Sequence, residues 1–225
     1  MLALLAGCVG LAWGVSNIAP GAAADEFQAL ETSLLRFETF RPAAATRMLE
    51  STAARDLGAC DTHGQRALLL LEMPLADAAL RAGRAHEFDL HMQSLETRAR
   101  QAVACAPRDS LLWLLLFGLE VEHGRLGPHS FDLLAASYDT SPNEAWVAVR
   151  RMLIGIPVVL AAPEPVRQRI LAEFQELVRR RFVEIPAFSY ARASAPVRAL
   201  LQSRVEQLDL PSQRAFSEAL QRVRS

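Results

Sequence analysis

From residue 26 onward, apolar side chains recur at three- and four-residue intervals. Nowhere do they alternate with period two for long enough to argue for a strand. Phe27, Leu30, Leu34, Leu35 and Phe37 predict an amphipathic helix over 26–37. Phe40-Arg41-Pro42 interrupts it, and a second helix follows over 43–57, stopped by Gly58. Thr62 and Gln65 stand at the spacing of a capping box ahead of Leu68-Leu69-Leu70-Leu71, a run apolar on every side. A central helix is therefore predicted over 62–82, kinked or split at Pro74 and ended by Gly83. Over 84–104 a return helix carries Phe88, Met92, Leu95, Ala99 and Ala102 or Val103 on one stripe, with Arg98 and Arg100 outside it.

The remaining chain continues in the same manner. Residues 110–122 form a helix whose centre, from Leu111 to Leu119, is apolar apart from Gly118. Such a stretch is far below the ~20 residues that span a bilayer, so a buried helix is the cheaper reading. Gly124 and Gly127-Pro128 end it, and 130–138 return. Ser141-Pro142-Asn143-Glu144 reads as an N-cap serine, a proline at N1 and a capping-box glutamate. The helix it opens carries Trp146, Val149, Leu153 and Ile154 before Gly155-Ile156-Pro157 disturbs it. Val166, Ile170, Phe174, Leu177 or Val178, and Phe182 mark a further helix over 163–182. After Pro186, two shorter amphipathic helices, 196–208 and 211–224, complete an all-α chain.

One phrase recurs within this pattern. Pro107-Arg108-Asp109-Ser110-Leu111-Leu112-Trp113 is echoed by Ser141-Pro142-Asn143-Glu144-Ala145-Trp146, with the tryptophans 33 positions apart. That interval resembles the tetratricopeptide class of helical repeats. With Trp113 on the family's first-helix tryptophan, Leu116 falls on its small apolar position and Gly124 on the turn between helices. Ala136 falls near the second-helix alanine, and Ser141-Pro142 on the closing proline. Phe117, Glu120 and His129 depart from the glycine, tyrosine and alanine that the family prefers. The resemblance covers residues 60–163. It implies stacked antiparallel hairpins in an α-solenoid, Trp113 and Trp146 as repeat-packing residues, and a concave face that binds protein partners. In family terms the groove positions of the second unit are Glu144, Val147 and Arg151.

Composition narrows the setting. The chain carries 24 basic and 25 acidic residues, a net charge of -1, which gives no general attraction to nucleic acid. Every basic residue is arginine, so Schiff-base and P-loop lysine chemistry is excluded. Residues 2–24 hold no charge. They read as a cleaved signal peptide ending at Ala22-Ala23-Ala24, as an uncleaved transmembrane anchor, or, through Leu5-Ala6-Gly7-Cys8, as a lipoprotein leader. All three expect residues 25–225, an all-helical domain with its core array at 60–163, to face the periplasm of a bacterial envelope. Cys60 and Cys105 lie at the open end of two equal helical arms of ~32 Å. They read either as a disulfide contributing ~4 kcal/mol, or as two small unpaired core residues.

Candidate chemistry is sparse. His86 and His91 are five apart and so fall on different faces of a helix, unlike a zinc pair at i and i+4. Glu120 and His123 match one Glu-x-x-His element of a di-iron bundle, but no second copy exists. Arg150 and Arg151, like Arg179-Arg180-Arg181, suit phosphate or an anionic glycan, or are solvated helix ends. No catalytic residue, cofactor or metal is expected. The expectation is a non-enzymatic scaffold or adaptor of the envelope, accessory to machinery such as surface-polysaccharide biosynthesis or export. The alternative is an all-α periplasmic enzyme or carbohydrate-binding protein using the arginine and tryptophan positions.

Overall fold

A computed structural model describes residues 27–34, 40–51, 54, 57–141 and 144–224, and within them every regular element is a helix. The expected signal or anchor over 1–24, with Cys8, lies outside the described residues, as do Pro142 and Asn143. Among the described residues, no helix is long and apolar enough to cross a membrane. The chain divides into two compact units, Met1–Pro107 and Arg108–Ser225. The array read over 60–163 therefore falls across the two.

In the first unit, residues 27–34 are helical, followed by α1 (Pro42–Leu49), α2 (Thr62–Arg81) and α3 (Ala85–Cys105). Phe27, Leu30, Leu34 and Ala45 close over Ala67, Leu68, Leu71 and Leu75 of α2 in one apolar cluster. α2 pairs with α3 along the stripe Met92, Leu95, Ala99 and Ala102, all buried as their spacing predicts. Pro74 lies inside α2 without splitting it. The cap also differs. Asp61, one residue before Thr62, accepts the Gly64 amide at 3.0 Å. Gln65 instead spans two elements: its amide donates to the Gly58 carbonyl at 2.9 Å and its oxygen accepts from Arg98 at 2.8 Å. Arg98 is thus half-buried across the hairpin rather than outside it. Gly83 takes φ +69°, and its neighbour's amide closes the helix end on Ala79.

A disulfide joins Cys60 to Cys105, 45 positions apart in sequence, across the open end, with Cα atoms 5.2 Å apart. Buried glutamates tie the unit together in addition. Glu31 pairs with Arg66 at 2.6 Å and His63 at 2.7 Å, while Glu72 accepts from His91 at 3.1 Å and Ser94 at 3.0 Å. His91 is therefore an intra-hairpin contact. Among the described residues, no group of three histidine, cysteine or acidic side chains is placed to hold a metal.

The second unit runs α4 (Ser110–Glu122), α5 (Pro128–Thr140), α6 (Ala145–Val158), α7 (Glu164–Arg179), α8 (Glu184–Arg192), α9 (Ala195–Glu206) and α10 (Leu210–Arg224). Neighbours pair as α4/α5, α6/α7 and α8/α9. Each helix also packs on the next but one: α4 on α6, α6 on α8, α8 on α10, and likewise α5 on α7 and α7 on α9. Phe174, fully buried, meets Phe216 edge-on at 5.8 Å, which holds α10 against the preceding helices.

Three local expectations are corrected here. Ser141 ends α5 as its C-cap, and α6 begins at Ala145 with Glu144 as N-cap, so Glu144 closes no capping box. The helix then passes Gly155, which lies tight against Ile170, and includes Pro157 in its last turn. A helix unforeseen in the sequence occupies Glu184–Arg192. Pro186 is its third residue, within the first turn, where the missing N–H would have no intrahelical acceptor anyway. The tryptophan echo also changes meaning. Trp113 is the fourth residue of α4 and Trp146 the second of α6, so the echo does not keep one register in the two helices. Both are half-buried.

Candidate functional site

α6 is enclosed by α4, α7 and α8, and its sequence is apolar except for Arg150 and Arg151. Val147 and Arg151 lie one turn apart and both are 0% exposed. Of the groove positions implied by the repeat resemblance, Glu144, Val147 and Arg151, only Glu144 is exposed, and the neighbouring Arg150, also a candidate partner contact, is half-buried. Its carboxylate accepts from Ser110 at 3.3 Å. Arg150 folds back along its own helix, donating to the Trp146 carbonyl at 3.2 Å with its guanidinium 5.8 Å from that ring, and burial lowers its pKa.

A fully buried guanidinium is tolerable only when its donors are matched. Arg151 reaches that condition through three helices. Its Nε and Nη2 donate to Glu173 Oε1 of α7 at 2.9 and 2.6 Å, and its Nη1 donates to the carbonyls of Ser137 and Ser141 at 3.1 and 3.2 Å. Tyr138 of α5 donates to the other oxygen of Glu173 at 3.1 Å and lies under the guanidinium at 4.5 Å. Ser137 in turn donates to the Ser110 carbonyl at 2.8 Å, extending the chain of bonds to the start of α4.

Outside this clamp lies a cleft of about 580 Å³ between α5, α6 and α7, with Tyr138 and Glu173 in its wall. Its rim alternates in charge. Arg169 pairs with Asp139 at 2.5 Å, and Glu176 with Arg179 and Arg180. Phe182 adds an apolar face that is 52% exposed. The left-handed Arg181, φ +67°, reverses the chain between Arg180 and Phe182 and brings both to the opening.

The electrostatics favour holding over proton transfer. Burial raises the Tyr138 hydroxyl well above its ordinary value, and the adjacent Glu173 charge adds to the effect, so Tyr138 stays protonated at neutral pH. Burial also raises Glu173, against the opposing pull of Arg151 and Tyr138. Both of its oxygens are already engaged. Since folded Glu173 holds its proton more tightly than the unfolded chain does, its contribution to stability is complete below 4.5 and is lost as pH rises through the raised folded value. The stability of the wild type relative to Glu173→Gln therefore falls from pH 4 to pH 7 in urea unfolding. A difference that grows over that range overturns the assignment.

Tyr138, Arg169, Glu173 and Glu176 were not singled out in the sequence, whereas Arg180 stood there as part of Arg179-Arg180-Arg181 and Phe182 only as a member of a helix stripe. The available signal was the arginine within an otherwise apolar stripe of α6, which demanded a buried acid elsewhere. The chain matches no family model, no curated protein and no solved structure.

Proposed function

We propose that this protein is a non-enzymatic adaptor of the tetratricopeptide-like kind, working in the cell envelope, and that residues 108–225 bind a segment of a partner protein in the cleft beside Tyr138 and Glu173. The observation that carries the reading is the packing of helices in the second unit on their next but one, which is compatible with stacked hairpins, beside a cleft bounded by α5, α6 and α7. Rim charges of both signs beside an exposed phenylalanine suit a peptide with paired charges and one apolar anchor. An envelope location is supported by the uncharged segment over 2–24 and by the disulfide between Cys60 and Cys105. A role accessory to surface-polysaccharide machinery remains the specific form of this proposal.

The test is site-directed photocrosslinking in the native host, with a benzophenone amino acid in place of Phe182 and, as control, of the exposed Glu218. A discrete protein adduct from position 182 and none from 218 is the expected result. Equal labelling at both positions, or none at 182, overturns the cleft. An alkaline phosphatase fused to the C-terminus that stays inactive overturns the location.

A further inference from the structure

A second pocket, of about 280 Å³, shares no lining residue with the cleft. Leu153, Ile156 and Pro157 of α6, Phe188 of α8 and Val197 of α9 make its walls apolar. Three polar features converge on it. Ser189, only 7% exposed, lines the pocket, and its hydroxyl has no hydrogen-bond partner. A serine within a helix ordinarily donates back to the carbonyl one turn earlier; this one does not. Arg192 lies beside it, with its guanidinium 5.1 Å from the Phe188 ring and no carboxylate partner among the described residues. Finally, the 12-residue helix α9 begins at this pocket, through Ser194 and Val197. Ser194 does not cap it with its side chain, and the amides of Ala195 and Val197 take no acceptor among the described residues.

We propose that this pocket binds a carboxylate carried on a short apolar chain. The headgroup is taken by Arg192, the first amides of α9 and the Ser189 hydroxyl, and the tail by Leu153, Ile156 and Val197. An unpaired guanidinium, an uncapped helix N-terminus and a buried unsatisfied hydroxyl are all donors, and together they select an anion over an amine or a neutral alcohol. The apolar walls reject a bare inorganic anion. The volume, just below the range of drug-sized ligand sites, limits the tail to a medium-length chain. A free fatty carboxylate and the C-terminus of a peptide ending in an apolar residue carry the same chemistry.

Calorimetric titration of the full chain tests the site, using octanoate, octanol and octylamine, and an acetylated tripeptide ending in leucine as free acid and as amide. Octanoate or the free-acid peptide, whichever is the natural source, is expected to bind at least tenfold more tightly than its uncharged counterpart. Shortening octanoate to hexanoate weakens binding about fourfold per methylene lost, the factor that corresponds to ~0.8 kcal/mol per buried methylene. Arg192→Gln, an exposed position where folding is unaffected, removes the preference for the anion. Ser189→Ala lowers affinity while the thermal midpoint of the unliganded protein holds or rises, which a purely structural serine would not do. Octanol binding as tightly as octanoate, binding of neither carboxylate, or unchanged affinity in Arg192→Gln each overturns the site.

Discussion

Arg151→Met lowers the stability of residues 108–225 by about 3–5 kcal/mol, the usual loss when one member of a buried ion pair is removed. Methionine fills much of the same volume, so the loss reports unmatched polar groups rather than a cavity. Glu173 is left buried with only the Tyr138 hydroxyl, and the carbonyls of Ser137 and Ser141 each lose a donor. The companion variant Arg151→Met/Glu173→Gln separates these effects. The glutamine still accepts from Tyr138 but carries no charge, so the double variant recovers roughly half of the lost stability in urea unfolding. If the single variant loses under 1 kcal/mol, the clamp does not hold the three helices. If the double variant is no more stable than the single, the lost carbonyl partners rather than the stranded acid dominate.

Loss of the disulfide is the other large effect, and it falls on the first unit. In the chain-entropy model, closing the loop between Cys60 and Cys105, 45 positions apart, contributes about 4 kcal/mol. For a unit of this size that corresponds to a fall in midpoint of roughly 15–30 °C. Cys60→Ala/Cys105→Ala and reduction of the wild type by dithiothreitol should give the same fall, because both open the same loop. The two units are compact separately, so calorimetry resolves which transition moves. A fall confined to the transition of residues 108–225, or none at all, contradicts the account.

Periodicity made the helices legible, and it fared best where one face was apolar and the other charged. The stripe of α3 is the clearest instance, since Met92, Leu95, Ala99 and Ala102 leave no second face to bury. Boundaries fared worse. Asp61 competes with Thr62 for the cap, and the side chain that reaches the Gly64 amide takes it. The helix at Glu184–Arg192 was hidden by Pro186, because a proline reads as a breaker until its position within the first turn is known. The site was legible only in negative form. Arg151 was seen as a cation, and cations are usually solvated. Its burial follows from α6 being covered by α4, α7 and α8, and no local pattern in residues 145–158 reveals how many neighbours a helix will acquire. The acid that makes the burial tolerable lies 22 positions further on, in a helix whose other glutamates pair at the surface.

The disulfide also bears on the order in which the chain is made. Both cysteines precede Arg108, so every residue needed to close the bond has been synthesised before the second unit begins. Arg151, by contrast, has no acceptor on α7 until Glu173 follows it. The first unit is thus able to fold and lock before the second is complete, with the second assembling afterwards from α4 onward.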